Sequence, residues 1–266
     1  MTIKVIFLNL KANNQLAKNK WNQFRVSCPE IADNDIVYDS LTLKDSFPSQ
    51  IFSIMQIHIK RGHFHFVAAG GDGTINTLIN AYALLDASEK EKVIIGAIGL
   101  GSSNDYHKPF KTIQNTSYGK IPYKLNFKNY ALHDLCHASF NDQKVYFSIN
   151  ASLGLTAAGN SVFNKNGKMI KILKNLHTEL AILYASVSSF ISYKGFPVEV
   201  EFTTLKNESM KKNIELSNFG IIKRRFFAGS LHYPEAPNRD DGTFYIYGFF
   251  NLKPFSIVKS FIKLYF

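Results

Sequence analysis

Two short glycine-bearing stretches hold the residues best suited to chemistry. Gly70-Gly71-Asp72-Gly73-Thr74 lies between a strand-like run, HFHFVAA (63–69), and a helical stripe, INTLINAYALLDAS (75–88). Glycines there let the chain turn sharply and bring backbone amides close to a ligand. A helix opening after the turn presents free N–H groups and the positive end of its dipole, which suits a phosphate. Asp72 is out of place in a site that only binds anions. A carboxylate beside a phosphate cradle makes sense when Mg²⁺ or its water shell lies between them. The competing reading is a plain strand-to-helix turn, and three glycines around an acid are more than such a turn needs. The second stretch, Gly99-Leu100-Gly101-Ser102-Ser103-Asn104-Asp105, follows the strand-like KVIIGAIG (92–99). In open parallel sheets, ligands bind at the carboxyl ends of strands. Two neighbouring loops with glycines, hydroxyls and an acid can enclose one polyphosphate.

The elements that must position these loops alternate. IKVIFLNL (3–10), DIVYDSL (35–41), 63–69 and 92–99 read as strands. KNKWNQFRV (18–26), SQIFSIMQIHIKRG (49–62) and 75–88 read as helices, the last two from apolar residues three and four apart. Strict alternation predicts an α/β domain with a parallel sheet wrapped by helices. After about residue 125 the character changes. YALHDLCHASF (130–140), KVYFSINASL (144–153), FPVEVEFTT (196–204), LSNFGIIK (216–223) and GTFYIYGFF (242–250) read as strands, interrupted by one long helix over 171–193 with a stripe through Leu176, Leu180, Leu183, Tyr184, Val187 and Ile191. Strands linked by turns predict a second, mostly antiparallel, β-rich domain. The boundary is placed near 121–126, giving domains of 1–125 and 126–266.

Composition fits this plan. The 266 residues are 45% hydrophobic and 19% charged, which excludes general disorder. A formal charge of +11 favours anionic partners: a nucleotide, a nucleic acid or an acidic membrane face. Two cysteines, Cys28 and Cys136, build no disulfide framework and suit a reducing compartment. The opening segment reads as a strand rather than a signal peptide, and no run of 18 apolar residues exists. His133 and His137 sit four apart on a strand-like segment, where they are too far apart for a zinc pair.

GGDGTIN (70–76) followed by GLGSSNDY (99–106) resembles the diacylglycerol kinase catalytic family, which includes bacterial lipid kinases and sphingosine kinases. Downstream, Asp134 in ALHDLC, YFSINASLGL (146–155) and Pro234-Glu235-Ala236 with Asp240-Asp241-Gly242 are similar to further family segments. The resemblance implies a kinase, dependent on ATP and Mg²⁺, that phosphorylates a lipid hydroxyl such as that of diacylglycerol. It implies a cytoplasmic protein, peripheral on the inner membrane face, with its active site between the two domains. By that resemblance, Gly70, Gly71, Asp72, Gly73, Thr74, Ile75 and Asn76 hold the nucleotide phosphates, joined by Ser40, Gly101, Ser102 and Asn104. Asp72 and Asp105 are the catalytic acids, with Asp134 in the same acidic, Mg²⁺-linked water network. A structural Mg²⁺ site would use the Asp241 carboxylate and the backbone carbonyls of Asn238 and Thr243.

The sequence also departs from the family pattern. Asn9 is followed by Leu10 where the family has proline, and the Gly-Thr of the second loop is Gly101-Ser102. The Asp-Gly-Glu segment that carries the family's general base does not occur before Phe266, so the expectation is a chain truncated at its C-terminal end, with no base assigned. Lys223, Arg224 and Arg225 followed by Phe226 and Phe227, and the tail 253–266, mix basic and aromatic residues in a way that suits an anionic lipid surface. Three alternatives stay open: an NAD kinase-like nucleotide kinase, an inactive nucleotide- or lipid-binding relative, and, motivated by charge alone, a nucleic-acid binder. No nucleic-acid partner is expected, because no recognised motif for one occurs.

Overall fold

A computed structural model describes residues 3–13, 16–40, 48–109, 116–118, 120–165, 167–176, 178–203, 208–229 and 231–250. The chain divides into two units. One holds the described residues up to Ile149 together with Arg239–Gly242, and the other holds Asn150–Asn238 with the described residues from Thr243 onward.

The first unit runs β1 (Lys4–Leu8), α1 (Ala17–Ser27), β2 (Ile36–Asp39), α2 (Pro48–Lys60), β3 (His65–Gly70), α3 (Asp72–Ala83), α4 (Ala87–Lys90), β4 (Ile94–Gly99), β5 (Thr116–Tyr118) and β6 (Ile121–Lys124). Its sheet has the order β2-β1-β3-β4-β6-β5. Strands β2, β1, β3 and β4 pair in parallel, as the strand–helix alternation predicts. The last two strands turn back, with β6 antiparallel to β4 and β5 antiparallel to β6. The sheet is therefore mixed, with an antiparallel edge.

The strand period assigns the side chains to two layers. Val5, Phe7, Phe66 and Ala68 face one side and pack with Ile51 and Met55 of α2 and Ile75, Leu78 and Ile79 of α3. Ile6, Leu8, Val67, Ala69 and Ile98 face the other and pack with Ala17, Trp21 and Phe24 of α1. Strands covered on both faces need apolar residues throughout, which is why 3–10 and 63–69 read as near-continuous runs. Each large side chain buried here contributes about 1.5–3 kcal/mol, so the strand ends that carry the loops rest on a rigid base.

A hairpin completes this unit: β7 (Cys136–Phe140) and β8 (Gln143–Phe147). Its turn residues Asn141 and Asp142 have φ of 45° and 62°, values suited to a two-residue hairpin turn. Asn80 of α3 bonds it like a strand edge, donating to the Tyr146 carbonyl at 2.8 Å and accepting from the Tyr146 amide at 2.8 Å.

The second unit contains β9 (Asn150–Gly154), α5 (Leu155–Asn164), α6 (Lys168–Leu176), α7 (Thr178–Ser192), β10 (Phe196–Thr203), β11 (Ser209–Ile222), β12 (Phe226–Phe227), β13 (Leu231–His232) and β14 (Tyr245–Phe250). Strand β11 is its spine and pairs antiparallel with β10, β14 and β9. The mostly antiparallel character is as expected, but the helical content is larger. The single helix expected over 171–193 is two, and α5 occupies residues that follow the strand-like run without a sequence break. The expected stripe is also not the buried face. Leu176, Leu183 and Ile191 are 70%, 60% and 79% exposed, while Ala181, Ala185 and Ser189 are buried. Small residues form the contact face here because helices can approach closely over them. Among the described residues, no helix is long and apolar enough to cross a membrane.

Candidate nucleotide site

Gly70 and Gly99 are register partners, so β3 and β4 end level and their two turns leave the sheet side by side. The amides of Leu100 and Gly101 both donate to the Gly70 carbonyl, at 2.8 and 3.2 Å. A Cβ on Gly71 would lie 3.3 Å from the Gly101 Cα, and one on Gly101 only 2.5 Å from the Gly71 Cα. A Cβ on Gly70 would collide with the Thr74 hydroxyl. Bare backbone is thus a packing requirement at 70 and 101. Gly73 differs, since a Cβ there would meet nothing within 4 Å. Its lack of a side chain leaves open space over the first turn of α3.

That helix starts at Asp72, three residues before the position expected from apolar spacing. Gly71 is the N-cap, with φ −92° and ψ −175°, and an acid in the first turn suits the helix dipole. The Thr74 amide already donates to the Gly71 carbonyl at 2.9 Å, which leaves the start of the turn, at Gly73, as the part suited to an anion. Asn9 donates to the Thr74 hydroxyl at 3.1 Å, anchoring the turn to the end of β1. Ile75 is 1% exposed and packs in the core, so its side chain does not reach a ligand. Asn76 is half-buried, and its carbonyl accepts from Asn80 at 2.8 Å.

Asp72 fastens the two turns together. Its carboxylate accepts from the Asp105 amide at 3.1 Å and the Tyr106 amide at 2.9 Å. Burial pushes its pKa up, and the charge of Asp105 pushes the same way, while those two amides pull it down. Asp105 pairs with Lys108 at 2.8 Å, with both side chains about one-tenth exposed. Two neighbouring carboxylates whose ionised forms oppose each other are a donor set that fits a divalent cation. Asn104 shapes the second turn. It sits at φ 51°, in the left-handed region, and its side chain accepts from the Gly101 amide at 3.0 Å. It also donates to the carbonyls of Gly99 and Gly101 at 3.2 and 3.3 Å.

Ser102 is exposed beside this arrangement. Ser40 is 7% exposed, and its hydroxyl accepts from the Leu10 amide at 3.1 Å, joining the ends of β1 and β2. Residues 41–47, which follow it, lie outside the described residues. Lys20 is a participant that sequence reading missed. It projects from α1, and its ammonium donates to the Gly101 carbonyl at 3.2 Å. Burial lowers its pKa. A lysine in a polar helix gave no signal of this, because only the fold brings α1 to the second turn.

Asp134 follows His133, whose ring stacks on Tyr106 at 6.3 Å beside the turn that Asp72 holds. Asp134 donates its amide to the Arg239 carbonyl at 2.8 Å and accepts from the Gly242 amide at 2.7 Å. These two bonds tie it to the 239–242 segment. In the second unit, the two carbonyls expected to hold a structural Mg²⁺ already have a cation. The ammonium of Lys223 donates to Asn238 at 2.7 Å and Thr243 at 2.8 Å. Those residues do not fit a metal ion there, and Asp241 is exposed.

The basic-aromatic segment divides. Lys223 is 1% and Phe227 8% exposed, and Phe227 stacks on Tyr233 at 4.5 Å inside a core with Ile222 and Leu231. Neither side chain is available to a lipid surface, because Phe227 fills that core and the Lys223 ammonium is buried against two carbonyls. Burial beside Tyr247 pushes the Tyr233 hydroxyl up to about 12. Arg225 is exposed, and its Nε donates to the Tyr233 carbonyl at 3.0 Å; Arg224 and Phe226 are half-buried. The tail 253–266 lies outside the described residues.

A largely parallel sheet with two glycine turns in backbone contact, one of them opening a helix, is an α/β arrangement suited to a phosphate. Residues 4–122 match the family model described as the diacylglycerol kinase catalytic domain. No curated relative matches the sequence. Among solved structures, a "putative diacylglycerol kinase" from Bacillus anthracis str. Sterne shares 16% identity, with a TM-score of 0.60 over 99% of this chain and 79% of its own. A second structure with the same description from that organism shares 15% identity, with a TM-score of 0.62 over 98% of this chain and 80% of its own. A third, described as a diacylglycerol kinase, shares 16%, with a TM-score of 0.60 over 98% and 77%. At these identities the likeness establishes the fold, which extends across both units.

Proposed function

We propose that this chain transfers the γ-phosphoryl group of ATP, with Mg²⁺, to the hydroxyl of a lipid such as diacylglycerol. The observation that carries the reading is the pair of glycine turns in backbone contact, fastened by Asp72. Phosphoryl transfer needs positioning and charge neutralisation more than covalent help. The first-turn amide of α3 at Gly73 would bind a phosphate oxygen, with Gly71 letting the backbone approach and the Thr74 amide holding the turn through the Gly71 carbonyl. Ser102 would offer its exposed hydroxyl to the nucleotide. Bound Mg²⁺ would neutralise phosphate charge between ATP and the Asp72–Asp105 pair. Asp72 would keep the two turns in register while the lipid oxygen bonds to the γ-phosphorus, its proton passes to solvent and the bond to the β-phosphate oxygen breaks, releasing ADP.

The net charge of +11 supports action at an anionic membrane face, with the protein cytoplasmic and peripheral. Arg224, Arg225 and the half-buried Phe226 remain the proposed contacts there. Labelled ATP supplied with Mg²⁺ and either diacylglycerol vesicles or NAD tests the proposal. Label in the lipid is expected. Label in NAD would select a nucleotide kinase instead, and bound ATP without transfer would select an inactive relative.

A further inference from the structure

Lys223 stands at the end of β11, just before the turn into β12. Its side chain is 1% exposed, which is rare for an ammonium unless polar partners meet it. They do: the Asn238 and Thr243 carbonyls accept from it at 2.7 and 2.8 Å. The backbone around it is fixed by Asn150, whose side-chain oxygen accepts from the amides of Lys223 and Arg224, both at 3.0 Å. Ile222, the residue before it, is fully buried in a core with Phe227, Leu231 and Tyr233. Neither the ammonium nor its two acceptors takes part in the proposed nucleotide chemistry.

We infer that the Lys223 ammonium is a built-in cation that holds the Asn238 and Thr243 carbonyls where a bound divalent metal would otherwise be needed. Both carbonyl oxygens converge on one positive atom at N–H···O distances. Mg²⁺ takes oxygens at about 2.0–2.1 Å in an octahedron, and a covalently tethered ammonium already fills the point between them. The like charge of the lysine also opposes a divalent ion alongside it. Tethering removes any dependence on ion concentration, so the Asn238 and Thr243 carbonyls are held whether or not Mg²⁺ is present. This does not rest on the kinase reading and stands if that reading fails.

Thermal unfolding of the full chain without nucleotide, in EDTA and in millimolar MgCl₂, tests it. The wild type is expected to show no Mg²⁺-dependent rise in Tm that the Asp241→Asn variant abolishes. Lys223→Met, which keeps the volume without the charge, is expected to lose at least about 5 °C in both buffers. Lys223→Ala is expected to lose a similar amount in EDTA and to recover part of it with Mg²⁺ or Ca²⁺, which can enter the vacated space. An Asp241-dependent stabilisation of the wild type by Mg²⁺ would overturn the inference. So would a Lys223→Met protein as stable as the wild type, or a loss in Lys223→Ala that neither cation reduces. If the alanine variant does not fold, the wild-type and methionine arms decide.

Discussion

A Cβ added to Gly101 would fall 2.5 Å from the Cα of Gly71, so the two turns touch through bare backbone. Gly101→Ala must therefore push them apart. The expected result is a loss of about 1–3 kcal/mol in stability, as for other overpacked sites, and at least about a tenfold weaker ATP affinity. Gly73→Ala is the counterpart. Space is open there and the residue is helical, so stability should hold or rise by about 0.5–1 kcal/mol. ATP binding should still fall, because a methyl group would stand where a phosphate approaches. Unfolding curves and ATP titrations on both variants check the contrast.

Asp72 carries a pH dependence whose sign can be worked out. Its folded-state pKa lies above the ordinary 3.8, mainly through burial and then through Asp105. The folded protein thus holds this proton to higher pH than the unfolded chain does. The resulting stabilisation is complete below about 3.8 and is lost as pH rises through the folded-state value. Asp72→Asn should remove that slope and lower phosphoryl transfer by at least about a hundredfold through loss of the charge that faces Mg²⁺. Unfolding free energies of both proteins between acid and neutral pH, with transfer rates at neutral pH, provide the check.

Asn104 combines a left-handed backbone with three side-chain hydrogen bonds to the second turn. Asn104→Ala should cost about 2–4 kcal/mol, from stranded turn groups and from the conformation itself. Asn104→Gly should recover only the backbone part, about 1 kcal/mol. Denaturant midpoints of the three proteins measure this directly.

Lys20 places a partly desolvated ammonium on the Gly101 carbonyl. Lys20→Met should raise the KM for ATP about five- to fiftyfold while changing Tm little, since the packing stem remains. Steady-state kinetics over a range of ATP concentrations would show it.

The part of the fold that was legible is the part with regular spacing. β1, β3 and β4 are buried on both faces, and α2 and α3 show three- and four-residue apolar steps, so their order follows from the pattern. The antiparallel edge at β6 and β5 was not legible, because pairing direction leaves no mark in a short strand. The stripe on α7 misled for a different reason. Periodicity reports an apolar face without saying which face packs, and here Ala181, Ala185 and Ser189 take the contact. At the site, the glycines announced both turns. The clasp from Asp72 to the amides at 105 and 106, and the approach of Lys20, depend on residues 33 to 81 positions apart and exist only once the sheet is assembled. Lys223 read as surface charge, since nothing in a run of basic and aromatic residues says which side chain turns inward.

Calorimetric titration of ATP at millimolar Mg²⁺, run on the wild type and Gly73→Ala side by side, tests the central claim most directly. The account predicts saturable one-to-one binding by the wild type and binding at least about tenfold weaker in the variant, with a Tm in the variant no lower than that of the wild type. Heat that is absent in the wild type, or identical in the two proteins, would contradict a nucleotide seated on the first turn of α3.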